Sequence, residues 1–367
     1  MQFKIARDAL LKPMQLVSGV VERRSTLPVL SNLLLDIQGN RLSLTSSNQE
    51  LELSAEVEVS DVQSEGRITA SARKLFDICR SLPEDSEIQF SISGAQLRVS
   101  SGRSNFSLAT LPAEDFPKSE NEVDTIALTL TQEQLSELLA STSFAMAQKD
   151  FRPYLNGMLI EVDSGSLRAV ATDGHRLALH TVQVENNATE KQRLILPRRS
   201  AIELARLLQD PEELVTITGG ASHIRAQMSS CTLVSKLVNS RYADYERVIP
   251  RDGSKSLVGN REALRQSCQR AAILFSEKYQ IASFNLGSGE FKVVARNPDQ
   301  EVSEESVSVD YEGDPIEIGF NVSYLIDVFT AITTDKVRME LSDANSAVLL
   351  EPVENYGASF VVSPSRL

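Results

Sequence analysis

The chain has 367 residues, 41% of them hydrophobic and 24% charged, with a net charge of −13. Such a length holds two or three domains, and such a composition is that of a soluble globular protein. It excludes a membrane span, because the longest apolar runs are short, such as Leu33-Leu34-Leu35. The acidic balance argues against the basic footprint of a conventional nucleic-acid binder.

In chain order, a strand from Phe3 leads into a helix for which Asp8 is the candidate N-cap, and Pro13 predicts a late start or a bend. Residues 30–42 read as strand, short Gly turn, strand. Residues 51–59 alternate apolar and polar positions, the pattern of a half-buried strand. A helix is predicted over Ala72–Leu82, followed by strands at Ile88–Ile92 and Leu97–Ser100. A polar stretch near Glu120–Thr125 separates this part from the next.

The pattern then returns. Thr131 is a candidate N-cap with Gln134 completing a capping box, and Leu135, Leu138, Leu139 and Thr142 follow at helical spacing. Residues 155–167 repeat the hairpin, and a helix is predicted from Pro197 to Gln209, with Ile202, Ala205 and Leu208 facing the core. Beyond a second polar stretch near Arg251–Lys255, Asn260 caps a third opening helix with Leu264, Ser267, Cys268 and Ala271 inward and Arg261 and Arg265 on one face. Residues 281–291 give the third hairpin, and Asn321–Thr333 the sixth helix.

Leu42, Leu167 and Phe291 occupy equivalent places, 125 and 124 residues apart, and Ala72, Pro197 and Asn321 open equivalent helices at the same spacings. A period this long is a domain triplication, not a solenoid repeat. The expected fold class is α+β, with domains over 1–124, 125–252 and 253–367, each made of two β-α-β half-units. Their net charges are −5, −1 and −7. Basic side chains concentrate near helices and acids along strands, which is either ordinary solvation or a deliberate segregation of sign.

Little in the chain reads as catalysis. There is no GxxxxGK[ST] loop, HExxH or GxSxG, and His175, His180 and His223 lack companions at metal spacing. No cofactor or metal is expected. Asp173-Gly174-His175-Arg176 offers an acid–base pair to a hydrolase reading, but the same residues suit a turn between strands. Met1-Gln-Phe-Lys-Ile lacks a signal-peptide core, and Cys79, Cys231 and Cys268 form no CxxC, which points to reduced, buried thiols in a cytoplasmic protein.

Across its whole length the chain resembles the bacterial DNA polymerase III beta subunits, the replicative sliding clamps. The resemblance rests on Thr26-Leu-Pro-Val-Leu, Ser101-Gly-Arg-Ser-Asn-Phe-Ser-Leu108, Tyr154-Leu-Asn-Gly-Met158, Ala171-Thr-Asp-Gly-His-Arg-Leu-Ala178, Ser235-Lys-Leu-Val238, Glu317-Ile-Gly-Phe-Asn-Val-Ser-Tyr324 and Pro364-Ser-Arg-Leu367, in that order. It implies the DNA-clamp fold: a head-to-tail homodimeric ring around duplex DNA, helices inside and sheets outside, without catalysis of its own. Helix width agrees: with helices about 10 Å wide, six leave a hole of roughly 9 Å and twelve one of roughly 28 Å, and only the larger admits a duplex. Topological retention makes weak phosphate contacts sufficient, which reconciles DNA with an acidic chain.

The resemblance implies DNA contacts by Arg24, Arg73 and Tyr154, with Lys149 expected to meet phosphate where relatives often carry Gln, and the basic Arg152 and Arg198 near helix ends join them as candidates. It implies a ring interface of Phe106 and Leu108 against Ile273 and Leu274, with Lys74 and Arg103 facing Glu301, Glu304 and Glu305. It also implies a groove for a short peptide carrying a Gln and a terminal Leu-Phe-type pair. That groove maps to Leu155, Thr172, Gly174, His175, Arg176, Leu177, Arg247, Val248, Asn321, Tyr324, Val361, Val362, Pro364 and Arg366. Its implied users are the DNA polymerase III alpha subunit, the clamp loader delta subunit, translesion polymerases, ligase and mismatch-repair proteins, with no membrane partner. Ser363 and Ser365 stand where relatives carry Met, and Ala243 where Pro is usual. The rival reading within this fold is a peptide-binding scaffold that does not encircle DNA.

Overall fold

The computed structural model describes the chain except residues 23–26, 118–123, 187, 189, 252, 276–279 and 355. Arg24 and most of the first polar stretch lie outside the described residues. Six α-helices occur among the described residues: α1 Arg7–Val17, α2 Ala72–Ser81, α3 Gln132–Thr142, α4 Arg198–Leu207, α5 Arg261–Ala271 and α6 Val322–Ala331. No described helix is long and apolar enough to cross a membrane.

The chain forms two compact units, Met1–Gln132 with Ile202–Leu237, and Glu133–Ala201 with Val238–Leu367. The second sequence repeat is therefore divided between them. In the first unit the strand Leu51–Glu58 pairs with Thr232–Lys236, which makes one antiparallel sheet of thirteen strands. In the second, Arg176–Gln183 pairs with Ala358–Val362 inside an eight-stranded sheet, and a four-stranded sheet stands beside it in sequence. The three hairpins lie where their turns predicted, at Asn32–Gln38/Arg41–Ser47, Gly157–Asp163/Ser166–Thr172 and Ile281–Gly287/Glu290–Arg296.

Each sheet buries its apolar alternate residues under helices. Helix α1 packs on α2 and on the strand Leu51–Glu58, and α5 packs on α6 and on the four-stranded sheet. Phe3 and Phe90 stack at 4.9 Å between centroids, and Phe284 sits 5.5 Å from both Phe291 and Phe320. Burying such a side chain fully stabilises by roughly 1.5–3 kcal/mol. Asn260 caps α5 by accepting from the Ala263 N–H, and Asn321 caps α6 by accepting from Ser323. All three thiols are buried, and burial pushes those of Cys79 and Cys268 up to about 12, so neither is a nucleophile at neutral pH.

Four local expectations are corrected. Asp8 does not cap α1: the helix starts at Arg7 after Ala6, and the Asp8 carboxylate accepts from Arg7 and the Asp85 N–H. Pro13 does not delay that start, although it leaves the Ala9 carbonyl without its usual donor. Pro197 ends the strand Gln192–Pro197 opposite Gly157, where its missing N–H interrupts no ladder beyond, and the helix begins one residue later. Helix α4 buries Ala201, Leu204 and Leu207, leaving Ile202 49% exposed. The i, i+3 pattern fits both faces, and packing selected the one rotated by about 100°.

Candidate functional site

The turn joining Ser166–Thr172 to Arg176–Gln183 builds one wall of a cavity of about 400 Å³. Gly174 adopts φ +91, a conformation that a side chain would strain, and its N–H meets Thr172 Oγ1 at 3.0 Å. Asp173 Oδ1 accepts the backbone N–H groups of His175 and Arg176, at 2.9 and 3.1 Å. The Asp173 carboxylate thus holds the turn and the Arg176 Nε rather than the His175 ring. The His175 ring stacks on Tyr324 at 6.0 Å, and its carbonyl accepts from the Ser363 N–H. This disposition offers no acid–base pair of the kind that a hydrolase needs.

Arg176 is the hub. Its guanidinium donates to Asp173, Asp327 and the Phe144 carbonyl, and it lies over the rings of Tyr324 (4.7 Å) and Phe144 (5.2 Å). Five donors in a fixed plane suit that role, and a lysine lacks them. Across the cavity Tyr245 is buried, with its hydroxyl on Glu161 and its pKa pushed up to about 12, first by burial and then by that carboxylate. Val361 and Leu177 pair across the strands, and with Leu155 they form an apolar floor. Val248, 54% exposed, sits at the rim.

Of the expected groove residues, Leu155, Thr172, Gly174, His175, Arg176, Leu177, Val248 and Val361 line this cavity. Val362 is buried, Asn321 caps α6, and Tyr324 braces Arg176 and His175. Arg247 points to solvent with Asp244 at 2.7 Å, Pro364 is not among the lining residues, and Arg366 lines a different cleft. Asp244, Tyr245 and Ala347 line the cavity and were missed. The aromatic pair Tyr242 and Tyr245 within a polar run was the available signal for the first two.

The expected DNA contacts fall into different environments. Arg73 on α2 is exposed, with a loose 3.7 Å pairing to Asp77. Lys149 is exposed on a turn with φ 57. Arg152 is locked to Asp150 and lines the cavity, as does Tyr154, which sits edge-on to Tyr242. Arg198 donates to the carbonyls of Ser143 and Met146. Two further basic residues, Arg261 and Arg265, both pair with Glu262. Hydrogen bonds from Arg265 and then Gln266 hold the Glu262 carboxyl down at about 2.

Among the expected interface residues, Ile273 is 77% exposed, Phe106 and Leu274 are half-buried, and Leu108 is buried in its own unit. Lys74 and Arg103 are exposed. The acids already have partners in the chain: Glu301 with Asn297, Glu304 with Lys292, and Glu305 with Arg270. Alternation along Val302–Ser308 sends Glu304 and Glu305 to opposite faces.

Three family models cover the chain: the DNA polymerase III beta subunit N-terminal domain over residues 1–120, its central domain over 129–244 and its C-terminal domain over 246–366. The beta sliding clamp of Pseudomonas putida is 52% identical over 367 residues, 100% of both chains. A DNA polymerase sliding clamp from Pseudomonas aeruginosa, solved with a ligand, matches with TM-score 0.98, 49% identity and full coverage of both chains. Another from that organism, bound to griselimycin, matches with TM-score 0.96, 50% identity and full coverage of both.

Proposed function

The chain belongs to the bacterial DNA polymerase III beta-subunit family, the sliding clamps, and from that premise we propose that two copies close head to tail around duplex DNA while the Arg176 cavity tethers polymerases to it. The domains in this reading are 1–124, 125–252 and 253–367. The chain itself performs no catalysis, works in the cytoplasm, and relies on a separate ATP-driven loader.

The observation that carries the tethering role is the formed cavity: an apolar floor with a few fixed polar groups suits a peptide anchor. Its users are the alpha subunit of DNA polymerase III, the loader's delta subunit, translesion polymerases, ligase and mismatch-repair proteins. Ring closure is supported by two unlike strand edges. Ser104–Leu111 pairs with Gly66–Ser71 only at Thr110 and Leu111, and Val302–Ser308 pairs only with Glu290–Arg296 among the described strands. Unlike edges meeting between copies make a heterologous contact, which closes when the rotation permits. Phe106, Leu108, Ile273 and Leu274 pack there, and Lys74, Arg103 and the acids Glu301, Glu304 and Glu305 orient the rim, Glu301 and Glu305 exchanging their internal partners for those across it while Glu304 keeps Lys292. Arg24, Arg73, Lys149, Arg152, Tyr154 and Arg198 face the duplex in this reading.

The test is retention. The protein is loaded on nicked circular DNA with an active clamp loader and ATP, the salt is raised, and the circle is cut once. A clamp stays until the cut and then runs off. Release by salt alone, or indifference to the cut, rejects encirclement in favour of a surface-binding scaffold.

A further inference from the structure

A second cleft, of about 870 Å³, lies on the face of the four-stranded sheet that points away from α5. Alternation decides its lining: Phe284, Phe291 and Val293 turn to the core, and Ser283, Asn285, Lys292 and Val294 turn out. The segment 363–367 crosses this sheet. The Ser365 N–H donates to the Gly319 carbonyl, and a Cβ on Gly319 would collide with the Ser365 oxygen, so only glycine admits the crossing. Ser363 faces the Arg176 cavity, while Arg366 and Leu367 face the cleft. One strip of backbone therefore separates the two hollows.

The charges in the cleft are unequally satisfied. Glu304 pairs with Lys292 at 2.7 Å, and Glu317 accepts from the Ser283 hydroxyl. Among the described residues, Arg296 and Arg366 have no ion-pair partner, and Arg296 acts on Glu304 only as a more distant charge. Val294, Ile281 and Leu367 give the cleft apolar surface beside these two cations.

We propose that this cleft extends the peptide site and takes an acidic side chain on the amino-terminal flank of the segment held in the Arg176 cavity. The inference rests on the reading of that cavity as a peptide anchor. The motif's apolar pair is terminal, so only its amino-terminal flank is free to cross the strip. Ser363 and Arg366 are three residues apart, at most about 11 Å of extended chain, so four added residues span the crossing.

The test uses fluorescence anisotropy at low salt with labelled peptides carrying a Gln and a terminal Leu-Phe pair. One has no extension, and the others carry four amino-terminal residues containing Glu-Glu, Gly-Gly or Lys-Lys. The Glu-Glu peptide is expected to bind about three- to fivefold tighter than the Gly-Gly peptide, the range of partly exposed ion pairs, and the Lys-Lys peptide weaker. Arg296→Glu should abolish the acidic gain and Arg296→Lys should keep it, with the unextended peptide unaffected by either. Equal affinities for the three extensions, or an acidic gain that survives Arg296→Glu, overturn the extension while leaving the anchor intact. Failure of the unextended peptide to bind overturns the anchor and the extension with it.

Discussion

The Tyr245 hydroxyl donates to Glu161 Oε2 at 2.5 Å, joining a wall of the cavity to a carboxylate whose side chain is 2% exposed. Lys191 and Arg193 hold the other carboxylate oxygen at 3.2 and 2.7 Å. Glu161→Gln removes the charge that these cations face. The expected loss is about 2 kcal/mol, below the full cost of breaking a buried pair because Lys191 and Arg193 reach solvent. Peptide affinity should fall with it as Tyr245 loosens. Urea denaturation and peptide titration measure both, and unchanged stability would refute the anchoring role.

The same carboxylate sets a pH dependence. Burial raises its pKa, but the hydrogen bonds from Tyr245 and Lys191 and the charges of Lys191 and Arg193 outweigh burial and hold it below the ordinary value of 4.5. A depressed folded value means stability that is present above the unfolded value and is lost as pH falls through the folded one. The urea midpoint of the native protein should drop on acidification below 4.5 more steeply than that of Glu161→Gln. Parallel curves would assign the acid loss to other groups.

Ser363 and Ser365 separate by position. Ser363 lines the cavity, whereas Ser365 spends its N–H on Gly319 and is not among the lining residues. A flexible apolar filler at Ser363 adds apolar surface against a peptide's apolar pair. Ser363→Met should tighten peptide binding by about threefold, roughly the worth of one added buried methylene, and Ser365→Met should leave it unchanged. Calorimetric titration of both variants decides this, and equal effects would contradict the placement.

Arg176→Lys keeps the charge but loses the planar fork between Asp173 and Asp327 and the stacking on Tyr324 and Phe144. Peptide affinity should fall about tenfold or more, as when a charge-assisted hydrogen bond is removed from a fixed site. His175→Ala should weaken binding by a smaller factor, because its stack on Tyr324 goes. A lysine variant that binds like the parent would show that charge alone matters.

Arg73 and Arg198 should behave differently despite equivalent repeat positions. Arg73 is 92% exposed, whereas Arg198 holds the Ser143 and Met146 carbonyls. Arg73→Glu should reduce the salt dependence of DNA binding by about 0.9 in logarithmic slope for each phosphate that the side chain no longer neutralises, with no change in melting temperature. Arg198→Glu should lower the melting temperature. Salt titrations and thermal melts on both variants check the pair, and a stability loss from Arg73→Glu would contradict its solvent position.

Local chemistry was legible directly. The three hairpin turns, the six helices, the cap at Asn260 and the inward set Leu264, Ser267, Cys268 and Ala271 follow from residue type and spacing, because turns, caps and helical faces depend on residues within a few positions. The turn at Asp173 to Arg176 was legible for the same reason, whereas the place of Thr172 to Leu177 in a groove came, like the family, from the motif match.

Tertiary structure decided what distance in sequence conceals. Ala347 reaches the cavity only because strands from two repeats join, Arg176–Gln183 pairing with Ala358–Val362, and Tyr245 is brought there by its bond to Glu161, 84 residues away in sequence. The buried face of α4 was read as Ile202, Ala205 and Leu208, and packing instead buried Ala201, Leu204 and Leu207. Whether an arginine is exposed with one loose partner, as Arg73 is, or held by two carbonyls, as Arg198 is, depends on which groups approach it. Periodicity records which side of an element is apolar, and the register between distant strands determines what that side meets.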